Sequence, residues 1–116
     1  MNAVNYAPYY ERLRRRRDEI IKTRKHLEKE QRVVDQNEEW LDRASYESRV
    51  HLLDNLADWY ANEIVQVENA LARIAEGEYG VCLACHRRIE LERLDVAPEA
   101  CFCASCQSTR EALVQA

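Results

Sequence analysis

Apolar residues recur at intervals of seven along two stretches of the chain: Leu13, Ile20, Leu27 and Val34, then Tyr46, Leu53, Tyr60, Val67 and Ile74. A period near 3.5 marks a helix with a narrow apolar stripe. Laid antiparallel, the stripes pair Val34 with Tyr46, Leu27 with Leu53, Ile20 with Tyr60 and Leu13 with Val67, and each pair of numbers adds to 80. The hairpin therefore folds about Trp40. The pattern predicts a first helix from Pro8 to Asn37, because proline suits a first helical turn, where its missing N–H is no loss. It predicts a second helix from Arg43 to Glu76, with Asp42 as its N-cap and Gly77 ending it in a left-handed conformation. At about 1.5 Å per residue, the first helix would be ~45 Å long.

The first stripe is thin, reinforced by Tyr9, Tyr10 and Ile21. The second is broader, adding Leu56, Ile64 and Leu71, and its extra width should pack on something besides the first helix. With 116 residues, 33% of them charged, and only two Gly and two Pro, the chain is helix-rich and turn-poor. Few apolar residues lie outside the stripes, which leaves little for a large globular core. The expected fold is mostly α: a long antiparallel coiled-coil hairpin over residues 8–77 with its tip near 38–45, then a small four-cysteine zinc-finger module with a short C-terminal helix over residues 78–116.

Charge is unevenly spread. Residues 11–32 carry ten Lys/Arg against five Asp/Glu, whereas residues 35–48 carry five Asp/Glu against one Arg. The run Arg14 to Arg17 reads first as a solvated helix face and second as a contact with an acidic rim on a large partner. Glu38 and Glu39 close the first helix, where carboxylates oppose the helix dipole. Trp40 either folds back on the helices or stands exposed as a contact. The overall charge of −4 disfavours general nucleic-acid binding. A local acidic turn instead suits a cationic or metal-bearing site in a partner. The absence of a long apolar run predicts no secretion signal and no membrane span; five cysteines, four in a paired spacing that suits metal better than disulfides, fit a reducing, cytoplasmic compartment.

The chemistry sits in the last third. Cys82-x2-Cys85 and Cys103-x2-Cys106 are separated by 17 residues, a specific zinc spacing. Each short knuckle aims two thiolates at one side of a tetrahedral ion. Four thiolates leave no open position, so one structural Zn2+ is expected rather than a catalytic one. Metal would replace a core that so small a module cannot build. Cys101 is read as a bystander thiol, and His86 as displaced from ligation by Cys85 beside it. Between the knuckles, residues 87–94 are read as short strands. Residues 105–114 are read as a helix packing Leu113 and Val114 back on the module.

These residues resemble a known family. Ala70-Leu71-x-Arg73-Ile74-x2-Gly77-x-Tyr79-Gly80-x-Cys82-x2-Cys85, then Ile89, Arg93-Leu94, Pro98, Ala100 and Cys103-x2-Cys106, is similar to the DksA/TraR zinc-finger family. Asp42-Arg43-Ala44-Ser45 resembles the coiled-coil tip of that family, at the family's distance from the first zinc ligand. The similarity covers residues from about 39 to 107. It implies a monomeric regulator that binds bacterial RNA polymerase and inserts the hairpin into the secondary channel, modulating initiation without being an enzyme. The tip residues would be Glu39, Asp42 and Ala44, with Glu39 standing where aspartate is usual. His86 replaces a common glycine and must accept a left-handed conformation. The chain starts later in the family register, so much of the N-terminal globular segment is expected to be missing. The positions that contact the alarmone ppGpp in the family read Gln66, Ala97 and Gln107, all uncharged, which implies weak or absent ppGpp dependence. The rival readings are a transcript-cleavage factor with the same hairpin, a DNA-binding zinc protein using Arg12 and Arg14 to Arg17, and a coiled coil that dimerises. Sequence-specific DNA binding is not expected.

Overall fold

The computed structural model describes residues 5–115 and is mainly helical. Helix α1 spans Ala7–Gln36, a single 3-10 turn follows at Glu38–Trp40, and α2 spans Arg43–Glu76. Two shorter helices, α3 (Leu91–Val96) and α4 (Ala104–Gln115), complete the described chain. Helix ends fall within a residue of those the stripes predict. Contacts divide the chain into two compact units, one of residues 17–65 and one joining residues up to 16 with those from 66 onward.

In the unit of residues 17–65, α1 and α2 pair along the predicted seam. Ile20, Val34 and Ile64 are buried, and Leu27, Tyr46, Leu53 and Tyr60 are half-buried. Leu27 and Leu53 line the same small hollow, as the antiparallel register requires. Each fully buried aliphatic side chain contributes about 1.5–3 kcal/mol, so a one-residue slip along the seam would be costly. The hydroxyl of Tyr46 lies 3.5 Å from Asp35 Oδ1 and links the start of α2 to the end of α1. Burial, then the nearby Glu38 and Asp35 carboxylates, raises the Tyr46 pKa, so the phenol stays protonated and able to donate. Trp59 meets Tyr60 edge-on at 4.9 Å between ring centres while remaining exposed.

In the other unit, the stripe residues Leu13 and Val67 are both fully buried, as is Ala70. Helix α2 ends in a Schellman cap: Glu78 N–H donates to Arg73 O (2.8 Å) and Gly77 N–H to Ile74 O (3.1 Å). Gly77 supplies the left-handed backbone at φ +76°. Beyond it, Tyr79 is buried and donates its hydroxyl to Pro98 O at 2.7 Å. The first turns of α1 close over this tyrosine. Tyr6 stacks edge-on against Tyr79 at 4.9 Å, Tyr9 donates to Asp95 Oδ1, and Arg12 donates to Asp95 O at 2.8 Å.

Two expectations are corrected. Residues 87–94 form no strand; among the described residues there is one isolated bridge, Val81 to Arg88, and then α3. Leu94 is fully buried, with Arg93 beside it and Ala97 three positions on half-buried while Leu91 stays exposed, a one-sided pattern that a helical turn gives, and Leu94 N–H donates to Glu90 O at 3.1 Å. Leu113 and Val114 do not pack back on the module: they are 72% and 86% exposed. Helix α4 is instead held by its first turn, which follows buried Cys103 directly, with Gln107 N–H bonded to Cys103 O at 2.9 Å.

Gly80 sits at φ +81°, and a Cβ there would lie 2.5 Å from the Tyr6 hydroxyl. Gly80→Ala should therefore lose about 1–3 kcal/mol of unfolding free energy through backbone strain and displacement of Tyr6. Chemical denaturation of Gly80→Ala, Tyr6→Ala and the double variant should give a combined loss smaller than additive, since truncating Tyr6 removes the clash.

Candidate metal centre and acidic turn

The first knuckle is built by a tight reversal. Cys82 N–H donates to Arg87 O (2.8 Å) and His86 N–H returns to Cys82 O (2.9 Å). His86 adopts φ +62°, the left-handed conformation expected of the residue that stands where a glycine is common. Ile89, buried, brings the chain back with its N–H on Gly80 O at 2.8 Å. The second knuckle opens α4. The two knuckles are tied by Leu83 N–H on Cys101 O at 2.9 Å, and Ala104 N–H faces Glu90 Oε2 at 3.4 Å.

These turns bring the sulfurs of Cys82, Cys85, Cys103 and Cys106 together, all within 4.8 Å of one another. The Cys85 and Cys103 sulfurs are 3.8 Å apart. A tetrahedron with metal–sulfur bonds of about 2.3 Å has edges of about 3.8 Å, so the spacing suits one ion. Cys106 N–H points at Cys103 Sγ (3.5 Å), the contact a thiolate would accept. The Cys101 sulfur lies outside the cluster, and its residue takes part through its carbonyl.

The electrostatics agree. Burial pushes the Cys82 thiol up, but backbone N–H groups of Cys85, Cys103 and Ala84 overcome this and bring it down to about 6. Hydrogen bonding to the sulfurs of Cys103 and Cys82 pushes Cys106 up to about 12. Four thiols this close cannot all ionise alone, and a dication is what lets them do so. The donor set therefore fits a single thiophilic ion.

The acidic turn lies in the unit of residues 17–65. Asn37 caps the end of α1, its side-chain amide donating to Val33 O at 2.7 Å. The 3-10 turn closes with Trp40 N–H on Asn37 O (3.0 Å) and Leu41 N–H on Glu38 O (3.4 Å). Asp42 is the N-cap of α2: its Oδ1 accepts Ser45 N–H at 2.7 Å and its Oδ2 lies 3.1 Å from the Ser45 hydroxyl. Those bonds, the Ser45 backbone N–H first, hold the Asp42 pKa below the usual carboxylate range. A depressed carboxylate stabilises the fold fully above its ordinary value and loses that contribution as pH falls through the lowered one. Glu38, Glu39, Asp42 and Ala44 are exposed, while Leu41 turns inward.

A third arrangement joins the three positions that the resemblance groups to arginines that sequence reasoning missed. Gln66, Ala97 and Gln107, distant in sequence, line one cleft of about 420 Å³ together with Arg73, Arg93 and Arg110. The arginines are largely committed. Arg93 Nε donates to Phe102 O at 2.9 Å, and Arg110 lies over the Phe102 ring at 4.3 Å. Arg73 Nη2 is buried with no hydrogen-bond partner among the described residues. Glu99 and Glu111 bring opposing charge to the same cleft. Scattered arginines give no sequence signal of convergence; only the folded α2, α3 and α4 collect them.

The chain matches no protein-family model. It is 33% identical over 88 residues to an uncharacterized protein of Aquifex aeolicus (strain VF5), covering 71% of this chain and 61% of that relative, so the similarity spans under two thirds of the relative's length. The solved structure of the DnaK suppressor protein from Agrobacterium tumefaciens C58 is 30% identical, with a TM-score of 0.60, over 93% of this chain and 96% of that one. The chain belongs to the DksA/DnaK suppressor family. Within this family, transcription factor DksA2 from Pseudomonas aeruginosa superposes with a TM-score of 0.82 at 25% identity, covering 93% of this chain and 84% of that one. Among the described residues no helix is long and apolar enough to cross a membrane.

Titration of the metal-free chain with Co2+ should show one equivalent bound, with the intense absorption of thiolate ligation. Cys101→Ser should leave this unchanged, and Cys103→Ser should weaken binding by at least about tenfold. Uptake releases thiol protons, so affinity should rise with pH across the neutral range.

Proposed function

We propose that this chain is a non-enzymatic transcription regulator that binds bacterial RNA polymerase and inserts its hairpin turn into the secondary channel to modulate initiation. The observation that carries the reading is the exposed acidic turn, Glu39 and Asp42 with Ala44, on a fold shared with transcription factor DksA2. The same arrangement gives no support to a catalytic role of its own. Within a confined channel of low dielectric, the field of two carboxylates is less screened than in water, so charge alone can act on the polymerase. The cap bonds keep Asp42 ionised at neutral pH and fix its carboxylate against Ser45. Glu39 keeps the charge with one methylene more of reach.

In this reading Zn2+ is the ion held by Cys82, Cys85, Cys103 and Cys106. Its role is structural: it joins the turn at Val81–Arg88 to the first turn of α4. The reading includes weak or absent ppGpp dependence. Gln66, Ala97 and Gln107 add no charge to their cleft, where Gln107 donates to Glu111 at 3.0 Å and both Glu99 and Glu111 repel a polyanion.

Asparagine caps helices about as well as aspartate. Asp42→Asn should therefore keep its melting temperature and its binding to core RNA polymerase, yet lose most of its effect on transcription from a promoter with a short-lived open complex. Wild-type activity in Asp42→Asn would sink the charge mechanism. RNA shortening in stalled complexes would favour the transcript-cleavage reading instead. Adding ppGpp to the wild-type assay should change the half-maximal dose by less than about twofold, a coupling below the usual allosteric range. A large gain would overturn that part.

A further inference from the structure

Trp40 is 84% exposed, although tryptophan is a large side chain that usually buries. Its exposure is built into the turn. The bonds from Trp40 N–H to Asn37 O and from Leu41 N–H to Glu38 O fix the backbone on both sides of it. Leu41, the next residue, turns inward instead, and Asp42 then starts α2. The turn leaves the larger ring exposed and the smaller side chain half-buried. The neighbours of Trp40 in the turn, Glu38, Glu39 and Asp42, carry exposed carboxylates. An aromatic face set among carboxylates matches a guanidinium or ammonium group: the ring offers its negative face and the acids offer charge. Tryptophan is also the side chain most often found as an interface anchor, because it buries much area at little entropic cost.

We infer that Trp40 is a docking anchor of this chain, its indole seated in a recess of the polymerase lined by an arginine or lysine side chain that the neighbouring carboxylates help to hold. The inference rests on the polymerase-binding reading and deepens it, since it separates two tasks within one turn. Trp40 supplies affinity. Glu39 and Asp42 supply the charge that alters transcription. Loss of the ring should then weaken binding, whereas loss of the Asp42 charge should weaken effect at equal occupancy.

The chain has two tryptophans, so Trp59→Phe leaves Trp40 as the single indole. In that background Trp40 can be replaced biosynthetically by 5-hydroxytryptophan, which is excited outside the polymerase's own tryptophan absorption. Free, the probe should be strongly quenched by acrylamide; bound to core RNA polymerase, it should be shielded. Trp40→Ala should raise the Kd for core polymerase by about tenfold or more with an unchanged melting temperature, and Trp40→Phe should recover part of the loss. At saturating concentration Trp40→Ala should still affect transcription, whereas Asp42→Asn should not. Wild-type affinity in Trp40→Ala, or a probe equally quenched in the complex, overturns the anchor while leaving the polymerase reading intact. No binding by the wild-type chain overturns both.

Discussion

The seam between α1 and α2 is the constraint from which the rest follows. Its apolar positions repeat every seven residues, and the antiparallel register has one solution in which all of them meet. In each compact unit the buried helix residues include those the stripes name: Ile20, Val34 and Ile64 in one, Leu13 and Val67 in the other. Because a side chain's partner is fixed by its number, the turn is fixed too. Asn37 and Asp42, the two capping residues, fall at the ends of the helices it joins. The acidic residues between and beside them have no room in the seam and are exposed.

Metal-binding geometry and aromatic packing solve a different problem in the unit that contains the cysteines. Its short segments have few apolar residues, and among the described ones the buried hydrophobic side chains past α2 are Tyr79, Cys82, Ile89, Leu94 and Cys103. Two of these five are thiols of the cluster. The first turns of α1 add Tyr6 and Tyr9 around Tyr79, whose burial raises its phenol pKa well above the ordinary value and keeps the hydroxyl a donor to Pro98 O. Gly80 is needed there because Tyr6 occupies the space a Cβ would take.

Much of this was legible in the sequence because it rests on local or periodic rules. The helix ends follow from the stripe and from Asp42 and Gly77, and the thiol cluster follows from paired spacing; the left-handed His86 is implied by the family resemblance, in which a glycine is common at its place. What could not be read is tertiary. The run from Arg87 to Leu94 has too few residues for its period to separate strand from helix, and the backbone from Glu90 on closes helical bonds instead, Leu94 N–H to Glu90 O and Ala97 N–H to Arg93 O. Leu113 and Val114 look like core in a sequence, yet α4 is held at its first turn and leaves them exposed. The cleft that gathers Gln66, Ala97 and Gln107 with three arginines brings together α2, α3 and α4 residues far apart in the chain, and no short motif announces it. The exposure of Trp40, which the sequence left open between packing and contact, is set by the single 3-10 turn that carries it.

The central claim is that the acidic turn reaches the catalytic centre of RNA polymerase. It is tested most directly by replacing the polymerase's active-site Mg2+ with Fe2+ and generating hydroxyl radicals there, with the end-labelled chain bound. The account predicts backbone cleavage of the chain centred on residues 38–45. Cleavage centred on the cysteine module, or a bound chain with no cleavage at all, would contradict it.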